Sequence, residues 1–263
     1  MYFHLPSWAL LLILGLLVGG SIGVGIVVGR RLRERVERGG HESVGVVQGT
    51  LLGLVGLLLA FGMTMAVGRY EVRRALVVQE ANAIGTAYLR AQLLPEPQRS
   101  TSLDLFVRYA DAAIVVADEV PDTAPFDRAV AEVEEIQRNL WSEAGDAVQA
   151  DPAGTAPRLY VQALNEMIDT HTERVASLGN RVPSTVMVTL VLGSAIALGV
   201  LSLYLTMLGR GVLTSLLAGA VVVLILFVSF DLDRPRRGFI TVPDDVLVDV
   251  RATMDLPPAA GPP

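Results

Sequence analysis

The groups most able to do chemistry lie close together in DLDRPRRGFI, Asp231 to Ile240, where two carboxylates, Asp231 and Asp233, stand beside Arg234, Arg236 and Arg237. Carboxylates so spaced can hold a hard cation such as calcium together with backbone oxygens. The excess of arginine favours ion pairs instead. The three histidines, His4, His41 and His171, are scattered, and only His171 has acidic neighbours, in NEMIDTHTER. A di-metal helix motif needs Glu three residues before the histidine, and Ile168 stands there. Asp169, His171 and Glu173 therefore read as a polar helix face. No phosphate loop, dinucleotide fingerprint or nucleophile elbow occurs, and without cysteine there is no disulfide or thiolate metal site. The expectation is a protein that is not an enzyme, has no nucleic-acid partner and takes no cofactor unless calcium binds at Asp231 and Asp233.

Two further sets have spacing without obvious reactivity. In EANAIGTAYLRAQLLPEPQR, Glu80 to Arg99, the residues Asn82, Thr86 and Arg90 recur every fourth position. On a helix they form a polar stripe facing away from Ala81, Ile84 and Tyr88. Leu54, Leu58, Phe61 and Met65 make an apolar ridge at spacings of four, three and four. Ordinary helix packing explains such a ridge; in an oligomer the same residues could ring a narrow constriction that gates by dewetting.

These residues need elements to hold them, and the elements follow from hydropathy. Of the 263 residues 52% are hydrophobic, and the mean hydropathy is +0.50. Four runs, Met1 to Gly29, Ser43 to Gly68, Val182 to Gly209 and Gly211 to Phe230, contain no Asp, Glu, Lys or Arg. Each supplies the roughly 20 apolar residues that a spanning helix needs. The first run has no basic N-terminal flank and is long for a signal peptide, so it reads as a retained helix. The fold class is all-α: an integral membrane protein with four transmembrane helices and a four-helix extramembrane domain inserted between spans 2 and 3.

The predicted organisation is a transmembrane hairpin over 1–68 with spans about 7–29 and 44–67, a helical extramembrane domain over 69–181, and a second hairpin over 182–230 with spans about 184–208 and 211–230. A C-terminal segment, 231–263, ends in a Pro-rich tail, LPPAAGPP, too polar and broken to bury a core and so expected to be disordered. Region 69–181 carries 18 acidic against 11 basic residues, and its apolar spacing is helical. The stripes are Leu76, Val77, Ala81, Ile84, Tyr88 and Leu89; Leu103, Phe106, Val107, Ala110, Ile114 and Ala117; Val130, Val133, Ile136, Leu140, Ala144 and Val148; and Leu159, Ala163, Leu164, Met167, Ile168 and Val175. Prolines at 95, 97, 121, 125, 152 and 183 separate them. No proline falls between Val44 and Leu94, so span 2 and the polar-striped segment can form one helix of about 75 Å at 1.5 Å per residue.

Small residues recur every fourth position in the spans: Gly15, Gly19 and Gly23, Gly25 and Gly29, Gly49 and Gly53, and Gly211, Ser215 and Gly219. Such ridges let helices approach closely in lipid, within one protomer or between subunits. No charge lies inside a span, which argues against a proton-coupled transporter or ion pump.

EANAIGTAYLRAQLLPEPQR, ALNEMID and DLDRPRRGFI together resemble the bestrophin-like domain family of bacterial membrane proteins, over a stretch from span 2 to about residue 250. The family is named for a distant similarity to bestrophins, pentameric anion channels whose second span lines the pore and whose acidic segment after the fourth span binds calcium. The resemblance implies that Leu54, Leu58, Phe61 and Met65 face a pore and that Asp231 and Asp233 lie at the calcium segment. The expected function is a multi-pass, homo-oligomeric channel for small ions, anions by analogy, in the cell membrane, its partners being the lipid bilayer and further copies of the chain. The alternative is a non-conducting sensor or scaffold whose helical domain binds a partner or ligand.

Overall fold

The computed structural model describes residues 5–33, 38–209 and 211–259, the side chains of 38–43 excepted; His4 and the last four residues of the tail lie outside the described residues. Those residues form eight helices and no strand: α1 Ser7–Arg33, α2 Arg38–Ala91, α3 Gln98–Asp118, α4 Ala124–Ala150, α5 Thr155–Gly179, α6 Ser184–Met207, α7 Val212–Leu232 and α8 Asp245–Thr253. Helices α1, α2, α6 and α7 carry stretches long and apolar enough to cross a membrane. With no proline to break it, α2 runs as one helix of 54 residues and ends before Pro95. The chain divides into two compact units, Met1–Tyr70 with Arg181–Thr241, and Glu71–Asn180 with Val242–Pro263.

In the first unit α1 and α6 lie side by side. Ser21 donates to the Ala195 carbonyl at 2.5 Å, and Ser202 donates to the Ile22 carbonyl at 3.0 Å. Gly25 meets Gly199, and Gly29 meets Leu203 and Thr206. Residue numbers rise together on both helices, so the two are parallel. A Cβ on Gly25 would fall 2.2 Å from the Gly199 carbonyl oxygen, an approach only glycine permits. Phe230, Leu226, Leu190, Met187, Leu59 and Val55 belong to the buried apolar cluster that α2, α6 and α7 share with Leu10 and Leu14 of α1. The α6–α7 turn needs left-handed backbone at Gly209 (φ 71°) and Gly211 (φ 98°).

The second unit packs the distal part of α2 with α3, α4, α5 and α8. Its core alternates alanines, Ala87, Ala110, Ala113, Ala144 and Ala163, with aromatic rings. Tyr88 meets Phe106 edge-on with ring centroids 6.1 Å apart, and Phe106 meets Tyr160 at 6.3 Å. Thr123 caps α4, accepting from the Phe126 N–H at 3.5 Å, with proline in the first turn.

Two sequence expectations are adjusted here. Residues from Val242 onward join the helical unit rather than standing apart: Leu247 and Met254 are buried, and Arg251 donates to Asp111 at 2.7 Å. The buried face of α5 is turned one residue from the expected stripe. Tyr160, Ala163, Leu164, Met167, His171 and Arg174 are buried, whereas Leu159 is exposed. The tyrosine has the larger apolar body and takes the core position, its hydroxyl donating to Ser102 at 3.2 Å.

Candidate functional site

Three sets of residues were singled out by spacing, and the structure gives each a definite place. On α2, Leu54, Phe61 and Met65 are all exposed, Phe61 at 60%, and share an open face. Leu58 lies at the margin of that face, half-buried and packed against the apolar cluster. The opposite side of α2 supplies Val55, Leu59 and Ala66 to the interior. The helix is therefore amphipathic by burial rather than by polarity, since both faces are apolar.

Asn82 and Thr86 are exposed, while Ala81, Ile84 and Tyr88 are buried. Together with Gln79, Glu166 and Thr170 they line a polar groove of about 400 Å³ between α2 and α5. Arg90 is held apart from it: its guanidinium donates to the Leu159 carbonyl at 2.8 Å. The stripe thus divides into two groove-lining residues and one that fastens α2 to the start of α5.

A cluster that spacing did not disclose lies in the same unit. Glu80 is 0% exposed, and its carboxylate is held between His171, with Nδ1 at 2.6 Å, and an ion pair to Arg174. An ionised carboxylate only accepts, so Nδ1 carries the proton. Arg174 also donates to the Ala113 carbonyl at 3.4 Å. The Tyr109 ring stands edge-on to the imidazole, centroids 6.2 Å apart. Burial first, and the Glu80 charge second, push the Tyr109 hydroxyl far above its ordinary range, so it stays protonated. His171 Nε2 has no hydrogen-bond partner among the described residues. This corrects the reading of Asp169, His171 and Glu173 as one polar face: Asp169 and Glu173 are exposed, and His171 is buried. The signal was phase, because His171 is four residues after Met167, and Glu80 lies three after Val77 and four before Ile84, each continuing a buried stripe.

Asp231 and Asp233 are buried at the end of α7. One Asp231 oxygen accepts from Arg234 at 3.1 Å, and the other accepts from the Ile240 N–H at 2.9 Å. Arg234, itself fully buried, also donates to the Leu5 carbonyl at 2.7 Å and to Ser7 at 3.0 Å. Asp233 accepts from the Val182 N–H at 2.9 Å. Calcium needs six to eight oxygen ligands, but these carboxylates face N–H donors and a guanidinium that already supplies positive charge. The arrangement does not fit calcium; it is instead the ion pairing that the excess of arginine favoured, made by Asp231 with Arg234. Among the described residues no group of three or more His, Asp or Glu could hold a metal ion.

Comparison with known proteins agrees with this architecture. The family model for the bestrophin-like domain matches residues 15–247. A bacterial bestrophin homologue from Klebsiella pneumoniae, solved by zinc phasing, is similar in fold with a TM-score of 0.64 at 12% identity, over 90% of this chain and 96% of that one. A point mutant of a Klebsiella pneumoniae bestrophin homologue gives the same TM-score at 13% identity, over 90% and 97%. A variant of a membrane protein matches with a TM-score of 0.60 at 15% identity, over 94% and 97%. A search of curated proteins by sequence found no match.

Proposed function

The chain belongs to the bestrophin-like family, and from that premise we propose that it is a homo-oligomeric channel of the cell membrane that conducts small ions, anions in preference. The observation that carries this reading is the open face of α2, where Leu54, Phe61 and Met65 stand exposed, uncovered by any other of the described helices. Arranged as a ring of copies, that face lines the axis, and Phe61 forms a dewetting constriction. A second feature of α2 supports a ring. An added Cβ on Gly49, Gly53 or Gly56 meets nothing within 4 Å. This small-residue stripe lies on average about 140° around the helix from the ridge, where a neighbouring copy could approach closely.

Two measurements on the full chain test the proposal. Native mass in nanodiscs should show a closed ring of copies, and liposomes carrying the protein should pass halide at a rate that rises in Phe61→Ala. A monomer, or liposomes as tight as protein-free controls, would sink it. The reading as a sensor or scaffold rests on the polar groove of Gln79, Asn82, Thr86, Glu166 and Thr170. It predicts that filling the groove with Thr86→Leu abolishes ligand or partner capture without altering permeability.

A further inference from the structure

The segment that follows α7 does not leave the membrane unit directly. Its course is fixed by bonds on both sides of Phe239: Ser7 donates to the Arg237 carbonyl at 3.1 Å, and the Ile240 N–H donates to the Asp231 carboxylate at 2.9 Å. Between them Gly238 lies against that same carboxylate, where an added Cβ would fall 2.7 Å from an Asp231 oxygen. A larger residue there would push the carboxylate off its partners, so the tight closure depends on glycine. The chain is thereby turned back on α7, and the Phe239 ring meets Phe227 with centroids 6.0 Å apart.

That contact sets a level. Phe227 stands five residues before Leu232, the last of α7, or about 7.5 Å along the axis at 1.5 Å per residue. A helical side chain leans towards the N-terminal end of its helix, so the Phe227 ring lies further in still. Phe239, with its ring 6.0 Å away, therefore stands beside the last turns of α7 and not beyond them. The helix has 21 residues and a length of about 31 Å, which matches a hydrocarbon core about 30 Å thick. Its last turns thus lie at the margin of that core. Leu213, Leu217, Val221 and Leu224 form an exposed apolar row on α7, and Phe227 continues the row three residues after Leu224. Phe239 extends it. At 78% it is more exposed than any other large apolar side chain among the described residues, and Ile240 beside it is exposed too. In water such a ring would forgo the gain from burial, but the row it extends belongs to a helix that crosses the membrane.

We propose that the loop 236–240 is a membrane anchor that lays Phe239, with Ile240 beside it, into the interfacial layer of the bilayer crossed by α7. Side chains of this kind lie about 5–10 Å into the boundary between headgroups and acyl chains, the level at which the contact with Phe227 holds the ring. The same loop is bonded to Asp231 and, through Ser7, to the start of α1, so the bilayer surface is tied to the buried polar cluster at the end of α7. The inference rests on the membrane-crossing fold and does not depend on conduction.

The test uses the full chain in phosphatidylcholine liposomes. Phe239→Trp is made together with Trp8→Phe and Trp141→Phe, which remove the two native tryptophans. Its emission should be blue-shifted from that of tryptophan in water and quenched about twofold by lipids brominated near the headgroup, as for a side chain in the interfacial layer. Water-like emission, quenched by iodide and not by brominated lipid, overturns the proposal. So does blue-shifted emission indifferent to both quenchers, which would place a second copy over the ring. Should the triple variant fold poorly, Phe239→Cys gives the same answer, since the chain has no cysteine of its own. A nitroxide attached there should collide more often with oxygen than with a water-soluble nickel complex; the reverse ratio, or shielding from both, sinks the idea.

Discussion

The membrane unit and the helical unit are both built from helices and each buries an arginine–carboxylate pair, yet they pack their helices together in opposite ways. In the membrane unit the interhelical contacts of α1 and α6 are glycine against backbone, and serine hydroxyls bonded to a neighbour's carbonyl. In the helical unit alanines and edge-on aromatic rings make the contacts, and the core admits a carboxylate, an imidazole and a guanidinium together. Solvent explains the difference. Lipid offers no hydrophobic drive between helices, so close approach and short polar bonds must hold them. Water does drive apolar collapse, and that surplus offsets the desolvation of a charged cluster once its members are paired.

The sharpest way to break this comparison is to orphan a charge. Glu80→Ala leaves Arg174 and His171 buried without their acceptor and should destabilise the helical unit by about 3–5 kcal/mol, seen as an earlier transition in denaturant. Replacing Glu80 and Arg174 together with methionine should recover most of that loss, because two apolar side chains need no partner. Failure of the double variant to recover would mean that the cluster fixes the geometry rather than merely tolerating charge. Next in size is Gly25→Val in the membrane unit. The added carbons meet the Gly199 carbonyl, and overpacking of this kind costs about 1–3 kcal/mol or more, read as a lowered melting temperature in detergent. Thr123→Ala removes the cap of α4 and should cost about 1 kcal/mol by the same denaturant assay. The smallest effect belongs to Gly19→Ala, where an added Cβ meets nothing within 4 Å. Stability, read as the melting temperature in detergent, should hold to within about 0.5 kcal/mol of wild type; a large loss would show that a second copy covers that face of α1.

How far the sequence disclosed this molecule follows the same division. The four apolar runs and the proline-bounded helices were legible because hydropathy and breakers act locally. Which glycines are structural was not. Gly15, Gly19 and Gly23 share the spacing of Gly25 and Gly29, and only the latter pair touches α6, since spacing names a helix face without naming its neighbour. Among the candidate residues, the exposure of Leu54, Phe61, Met65, Asn82 and Thr86 accords with their place on helical faces. At Asp231 and Asp233 the ion pairing that the neighbouring arginines favoured is present as Asp231 with Arg234, while the backbone N–H groups of Ile240 and Val182 that complete the cluster were not legible. Backbone donors leave no mark in composition. Glu80 and His171 were hidden by residue type: a charge in phase with an apolar stripe is easily assigned to the surface.

The bond from Arg234 to the Leu5 carbonyl links residues 229 positions apart, and this sets an order of events during synthesis. α1 is made before the other helices described, but the group that fastens its beginning is made only after α7. At roughly 5–20 residues per second, that interval is on the order of ten seconds or more. Through that interval the start of α1 waits for its lock, so maturation of the membrane unit is paced by synthesis of α7 and the residues just after it rather than by insertion of α1.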